Sequence, residues 1–192
     1  MEALLEVLKI DGWLDVVAQL IGFVALVFAM VSYQMKTQKG IVLIQIISCT
    51  FFALHFLMLE AYTGALLNLI AAVRSVVFAN KDKKWGKSNW WIVLFSIISV
   101  VAVAFSWEGP MSIMPMAGMV LTSIAWGIEK ASLVRLISFP SSPLWIIYNL
   151  KSRSTAGVLT EVFVMISIIT AMIRLDIPKK NRNKKNGADG GD

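Results

Sequence analysis

The sequence is poor in the residues that form disulfides, metal sites and water-facing surfaces. It contains one cysteine, Cys49, and one histidine, His55, among 192 residues. A single cysteine cannot form an internal disulfide, and these two side chains alone cannot complete a structural zinc site. Charged residues make up 16% of the chain, whereas an average soluble domain has about 25%. Disulfide and zinc scaffolds are therefore excluded, and a soluble globular domain is not expected.

Recognisable catalytic motifs are also missing. The chain has no GxSxG, no HExxH and no phosphate-binding glycine loop, and its serines have no His–Asp partners at a recognisable spacing. We expect a protein that is not an enzyme and that uses no cofactor and no metal. The net charge of +6 comes from Lys and Arg residues that flank apolar runs, which argues against a nucleic-acid partner.

Long apolar segments occupy most of the chain. Hydrophobic residues make up 57% of it, and the mean hydropathy is +0.72. A helix needs about 20 mostly apolar residues to cross the roughly 30 Å of hydrocarbon in a bilayer. We therefore predict an all-α membrane protein with seven transmembrane helices. The seven windows are 16–35, 40–59, 61–80, 88–107, 109–128, 131–150 and 154–173.

The distribution of basic residues predicts how these helices are oriented. With the amino terminus outside, the inner segments hold thirteen Lys and Arg residues and the outer segments hold three. Basic residues accumulate on the cytoplasmic side of membrane proteins. We therefore expect the amino terminus outside and the carboxyl terminus in the cytoplasm, which requires an odd number of spans.

Both ends of the chain differ from the apolar middle. Residues 1–12 alternate apolar and charged side chains, which is typical of an amphipathic segment lying in the membrane interface. This start has neither the basic residues nor the cleavage site of a signal peptide, so we expect the first span to be retained. Residues 175–192 are polar, basic and rich in glycine, and we expect a disordered cytoplasmic tail.

The spacing of polar residues indicates an internal repeat. In a seven-span chain the first three and last three helices run in the same directions, which gives a parallel 3+1+3 arrangement. A shift of 90 residues places His55 over Trp145, and a shift of 93 places Gly64 on Gly157 and Asn68 on Glu161. The predicted units are a first three-helix bundle at 13–80, an inner loop and connector helix at 81–107, and a second three-helix bundle at 108–174.

Two segments carry a resemblance to a known family. HFLMLEAYTGALLNLIAAVRSVV (55–77) and LWIIYNLKSRSTAGVLTEVFVMISIITAMIR (144–174) resemble the bacterial inner-membrane family YgjV. That family is similar to the superfamily of PQ-loop proteins, SWEET transporters and nicotinamide riboside transporters. The resemblance implies the bacterial inner membrane, a SWEET-like fold and transport. Its most specific points are His55, Phe56, Gly64, Asn68, Arg74, Trp145, Asn149, Gly157 and Glu161.

The same resemblance implies where a substrate would bind. In sugar-carrying relatives an Asn on helix three, its counterpart on helix seven and a Trp on helix six line the pocket. Asn68, Glu161 and Trp145 are similar in placement. Glu161 departs from the usual Asn, which argues against a neutral sugar. The segment Ser32-Tyr33-Gln34 also lacks the proline of the Pro-Gln signature.

Two ionisable residues within the apolar windows are candidates for substrate binding. Glu161 could bind a cationic group or carry a coupling proton, because a carboxylate inside the membrane must face protein or water. Arg74 could hold an anionic group with its planar guanidinium. The alternative for both residues is structural: an ion pair between Arg74 and Glu161, or a bridge from Arg74 to a backbone carbonyl.

The remaining candidates also allow two interpretations. His55 could carry a proton or could be a packed, hydrogen-bonded side chain. Trp145, Tyr148 and Asn149 lie on consecutive turns and could offer a stacking surface with hydrogen-bonding groups, or the two aromatic residues could belong to an interfacial belt. Pro140 and Pro143 should kink helix six, either as a gating hinge or as a fixed bend.

These observations lead to one functional prediction with two alternatives. We expect a transporter of a small polar solute that works by alternating access between the two bundles, with the lipid bilayer and the unknown solute as its partners. The alternatives are a membrane receptor that binds without transport, and an interaction or assembly protein whose buried charges only hold the bundles together. The oligomeric state is left open.

Overall fold

Helices account for all the regular secondary structure in the described part of the chain. A computed structural model describes residues 12–178, so the predicted interfacial segment up to residue 11 and the tail from residue 179 lie outside the described residues. Residues 12–178 form eight α-helices: α1 (Trp13–Tyr33), α2 (Gln38–Met58), α3 (Tyr62–Ala79), α4 (Trp90–Phe105), α5 (Ile113–Gly127), α6 (Ala131–Ser138), α7 (Ser141–Lys151) and α8 (Thr155–Ala171).

Short turns extend two of these helices. A 3₁₀ turn (Pro110–Ser112) precedes α5, and a π-helical turn (Met172–Asp176) follows α8. The chain stays helical through residue 178. The predicted start of the disordered tail at residue 175 is therefore too early, because the last span continues by another turn.

Four helices within residues 12–178 are long and apolar enough to cross a membrane. They are α1, α2, α3 and α8 with its π-helical turn. The helix α4 is apolar but has 16 residues, and α5 has 15. The all-helical membrane class is thus confirmed, whereas helix length and composition account for fewer spans than the seven predicted.

The sixth predicted span is interrupted at its prolines. The helix α6 ends at Ser138 and α7 begins at Ser141. Pro140 has no backbone N–H to continue the hydrogen-bond ladder, and Pro143 lies in the first turn of α7, where a proline is tolerated. The Ser141 hydroxyl donates to the Ser138 carbonyl at 2.7 Å. A side chain thus satisfies a carbonyl that the interruption frees, and the predicted kink is present as a break between two helices.

Six of the eight described helices form a closed ring. The helix α2 packs between α1 and α3, and α7 packs between α5 and α8. The ring closes where α3 contacts α5 and where α1 contacts α8. The helix α4 packs against α3 and α5, and α6 packs against α5. The ring order around the molecule is therefore α1, α2, α3, α5, α7 and α8.

The surface is apolar, while many polar side chains are buried. Phe105 is 88% exposed and Trp90 is 77% exposed, whereas Arg74 and His55 have no exposed surface. This distribution is the reverse of that in a soluble protein, and it suits helices surrounded by lipid, because polar groups in a membrane must find partners inside the protein. The ring of helices therefore separates a lipid-facing exterior from a polar interior.

Candidate functional site

A cavity of about 80 Å³ lies inside the ring, with walls from all six of its helices. Five of the predicted site residues line it: Asn68, Arg74, Trp145, Asn149 and Glu161. They come from α3, α7 and α8. The structure thus brings together side chains that are separated by as much as 93 positions in the sequence.

Asn68 and Glu161, which the repeat places in equivalent positions, line this cavity together. The Asn68 amide donates to the Gly64 carbonyl one turn earlier in α3 at 2.9 Å, which leaves its side-chain oxygen free to accept another hydrogen bond. Glu161 is partly exposed, and Ser142 lies on the same cavity wall. The cavity therefore holds an amide and a carboxyl group.

Arg74 connects α3 to α5. One of its terminal nitrogens, Nη1, donates to the Met119 carbonyl at 2.9 Å and to the hydroxyls of Thr122 and Ser123 at 3.1 and 2.6 Å. The guanidinium carbon lies 4.4 Å from the ring centre of Trp126, which is close enough for a cation–π interaction. The carbonyl bridge, one of the two structural alternatives, is therefore present.

The other alternative, an ion pair between Arg74 and Glu161, is wrong. Ion pairs in the described part of the chain join Lys39 to Asp82 and Arg135 to Asp176. Arg74 points at the backbone and hydroxyl groups of α5, which offer hydrogen-bond acceptors one turn apart. The two ionisable side chains of the cavity therefore do not neutralise each other by direct contact.

His55 lies next to the cavity but does not line it. Its Nδ1 is 2.7 Å from the Ala18 carbonyl oxygen, and its Nε2 is 2.7 Å from the Ser154 hydroxyl. Because a carbonyl only accepts hydrogen bonds, Nδ1 carries the proton and Nε2 accepts from Ser154. The Ser154 oxygen in turn accepts from the Gly157 N–H at 2.9 Å. This geometry favours the packing interpretation, because His55 ties α1 and α2 to the start of α8.

Tyr148 is fully buried beside the cavity and is not part of an interfacial belt. Its hydroxyl accepts from the Gly64 N–H at 2.8 Å and donates to Glu108 Oε2 at 3.1 Å. The other Glu108 oxygen accepts from the Thr63 N–H at 2.9 Å. Tyr148 and Glu108 thus satisfy the free backbone N–H groups at the start of α3. Sequence reasoning missed Glu108, although an acidic residue between two apolar windows was a visible signal.

Trp145 and Asn149 follow one another on the face of α7 that lines the cavity. Trp145 stacks on Phe56 with ring centres 6.2 Å apart. A Cβ atom at Gly118 would lie 2.8 Å from the Trp145 indole, so the indole can pack here only against a glycine. A Cβ atom at Gly157 would likewise lie 2.6 Å from the Asn149 carboxamide. Two glycines therefore allow these side chains to approach the neighbouring helices.

Pro140 and Pro143 are exposed and do not line the cavity. Ser141 and Ser142, which lie between them, do line it. The interruption of the helix therefore places two hydroxyl groups at the cavity wall. Whether the two prolines also form a gating hinge stays a prediction.

Sequence reasoning missed several uncharged polar residues of the cavity wall. Gln45 and Ser48 lie three positions apart on α2, a spacing that places side chains on one face of a helix. The Gln45 amide donates to the Ser32 hydroxyl at 2.9 Å, and the Ser48 hydroxyl donates to the Ala25 carbonyl at 2.9 Å. This spacing within an apolar helix could have identified them. The other missed polar residues are Tyr33, Thr122, Ser141, Ser142 and Thr160.

The residues that the structure describes contain no group of three or more His, Cys, Asp or Glu side chains placed to hold a metal ion. The cavity instead offers amide, hydroxyl, carboxyl and guanidinium groups beside aromatic rings. Such a set can bind a polar solute through hydrogen bonds and charge.

Comparison with known proteins identifies a family. No curated protein and no solved structure matches the chain. A sequence profile of the family Imp-YgjV, described as bacterial inner membrane protein, matches residues 16–179. This match covers nearly all of the described residues, including every residue of the cavity, and it confirms the resemblance found in the sequence. The chain therefore belongs to the Imp-YgjV family of bacterial inner membrane proteins.

Proposed function

We propose that this protein transports a small polar solute across the bacterial inner membrane. The observation that carries the proposal is the cavity itself, in which an amide, a carboxyl group and a guanidinium from both halves of the chain line one space inside apolar helices. Ionisable side chains within membrane helices are costly and usually mark a substrate or ion pathway. Binding sites between structural repeats are common in transporters.

The order of the ring supports two similar halves. In the first half α2 packs between its neighbours, and in the second half α7 does the same. The two junctions, α3 with α5 and α8 with α1, occupy equivalent places between the halves. This order is compatible with the parallel 3+1+3 arrangement of seven spans, in which α4 is the connector and α6 with α7 is one interrupted helix. It also fits the proposed relationship to SWEET and PQ-loop proteins.

Alternating access requires contacts between the halves that can break at one end of the cavity at a time. At the end proposed to face outside, Tyr148 links α7 to Gly64 and Glu108. At the end proposed to face the cytoplasm, the Gln34 amide donates to the Ser167 carbonyl and hydroxyl at 2.9 and 2.8 Å. We propose that solute exchange breaks these two sets of hydrogen bonds in turn.

Flux measurements on purified protein in liposomes test the proposal. Uptake of a panel of nucleosides, vitamins, sugars and amino acids should identify at least one transported solute. Glu161→Gln should lower that uptake, because it removes the carboxylate of the cavity. Glu129→Gln is the matched control: Glu129 is exposed after α5, so the same chemical change there should leave uptake unaltered. Transport that is equal in the two variants would remove Glu161 from the mechanism.

A second candidate, a receptor that binds without transport, is favoured by the size of the cavity. About 80 Å³ is well below the 300–1,000 Å³ of typical ligand pockets, and hydrogen bonds join the halves at both ends. Such a protein would show equilibrium binding of a solute with no flux. A purely structural role for the buried charges predicts instead that Arg74→Ala and Glu161→Ala reduce protein abundance equally, with no solute that protects either variant.

A further inference from the structure

The guanidinium of Arg74 has hydrogen-bonding capacity that the protein leaves unused. The side chain has no exposed surface and lines the cavity. All three of its hydrogen bonds come from Nη1, whereas Nε and Nη2 are buried and have no hydrogen-bond partner among residues 12–178. Nε and Nη2 are adjacent donors of the guanidinium group, the geometry that binds both oxygens of a carboxylate.

The other buried guanidinium shows what the protein does when an arginine is purely structural. Arg135 is 2% exposed, and its Nε and Nη2 donate to both carboxylate oxygens of Asp176 at 3.0 and 2.5 Å. The same two donor atoms that are unpaired in Arg74 are therefore filled by a carboxylate in Arg135. The contrast indicates that the two unpaired donors of Arg74 are suited to an anionic group from outside the protein.

A second set of unpaired groups lies elsewhere on the cavity wall. Asn149 is only 2% exposed, and its buried side-chain oxygen accepts no hydrogen bond. Glu161 lines the same cavity, and its carboxyl group is not paired with any described basic side chain. An amide oxygen and a carboxylate together suit a ligand group that donates hydrogen bonds and carries positive charge.

From these two sets we infer that the solute is a small zwitterion of the amino-acid class. Its carboxylate binds the Nε and Nη2 side of Arg74, and its ammonium group binds Glu161 and Asn149. A cavity of about 80 Å³ has room for about five water molecules, which corresponds to the size of the smallest amino acids. This inference rests on the proposed function, because it names the substrate class of the same cavity.

A comparison of matched small molecules tests the assignment on the unaltered protein. Isothermal titration of the protein in nanodiscs is carried out with L-alanine, 3-aminopropanoate and 4-aminobutanoate, which differ in the distance between the two charges. Propionate and ethylamine are the controls that lack the amine and the carboxylate. One or more of the zwitterions should bind more tightly than both controls, by about tenfold or more. The reason is that each control leaves one charged group of the protein unpaired.

A variant then tests where the carboxylate half of the ligand binds. Arg74→Gln should weaken binding of the zwitterion by at least about tenfold and leave binding of ethylamine unchanged. Lys130→Gln is the control, because Lys130 is an exposed cation away from the cavity. It should bind the zwitterion like the unaltered protein.

Three results would overturn the inference. The first is equal binding of a zwitterion and of either control molecule, and the second is binding of neutral polar solutes only. The third is binding of zwitterions that Arg74→Gln does not weaken. Transport of a neutral solute would overturn this inference and support the proposed transport function. Zwitterion binding without flux would support this inference and overturn the proposed transport function.

Discussion

Gly157→Ala tests the close packing that holds the start of α8 against the rest of the ring. A Cβ atom at Gly157 would collide with the Ser154 hydroxyl oxygen and would lie 2.6 Å from the carboxamide of Asn149. Both neighbours are buried. The Ser154 side chain cannot move freely, because its oxygen caps α8 and also bonds His55.

The opposing effects can be compared in magnitude. Alanine is favoured over glycine in a helix by about 1 kcal/mol. Overpacking of a buried site costs about 1–3 kcal/mol, and loss of a hydroxyl N-cap costs about 1 kcal/mol more. The net effect is a destabilisation of about 1–3 kcal/mol. For a chain of this length, that corresponds to a decrease in Tm of roughly 2–12 °C.

Gly40→Ala is the matched control for this measurement. Gly40 occupies the same position after an N-cap, where its N–H donates to the Thr37 hydroxyl at 3.1 Å. A Cβ atom there would lie 3.1 Å from Thr37 Oγ1 and from Met35 Cβ, and Thr37 is exposed and can move. The gain in helix propensity should therefore offset the contact, and the stability should change by less than about 1 kcal/mol.

Thermal unfolding in detergent, followed by circular dichroism, gives both values. Tm should fall for Gly157→Ala and stay nearly constant for Gly40→Ala. A Gly157→Ala protein that is as stable as the unaltered protein, or a larger loss in Gly40→Ala, would refute the packing described for the start of α8.

Three further predictions concern other contacts. Arg135→Met should destabilise the protein by about 3–5 kcal/mol in chemical unfolding, because it leaves Asp176 partly buried without its cation, and the added change Asp176→Asn should restore much of the loss. Tyr148→Phe should cost about 1–3 kcal/mol in the same assay, because a buried N–H loses its acceptor; an unchanged midpoint would contradict that hydrogen bond. The hydrogen bond from Lys39 holds the pKa of Asp82 below its usual value. Its small stabilisation should be present above the unfolded pKa of about 4 and lost as the pH falls through the folded pKa. NMR titration should show the lowered pKa and its return in Lys39→Gln.

Local signals in the sequence predicted the general character of the protein and part of the site. Apolar runs predicted membrane helices, and two prolines predicted the interruption between α6 and α7. Asn68 and Glu161 could be placed in one cavity because polar residues in apolar helices must face the interior, and the repeat put them in equivalent positions. These inferences required only helix periodicity and the cost of polar groups in lipid.

The partners of the buried charges could not be predicted in the same way. Arg74 and Glu161 are the obvious pair by charge, yet Arg74 bonds to Met119, Thr122 and Ser123 instead. Which side chain a long guanidinium reaches depends on the rotation of α5 about its axis and on its distance from α3. Neither quantity can be read from hydropathy. The role of Glu108 at the start of α3 was hidden for the same reason, because it depends on contacts between helices.

The position of α4 outside the ring has a consequence for the surrounding lipid. Sixteen helical residues extend about 24 Å, whereas the 21 residues of α1 extend about 31 Å. In the proposed seven-span arrangement α4 crosses the membrane, and the exposed tryptophans near its two ends, Trp90 and Trp107, would hold those ends in the headgroup region. The bilayer beside α4 should therefore be thinner than beside α1, by several ångströms. This hydrophobic mismatch gives the protein two unlike flanks, so annular lipids with shorter acyl chains should collect on the α4 side.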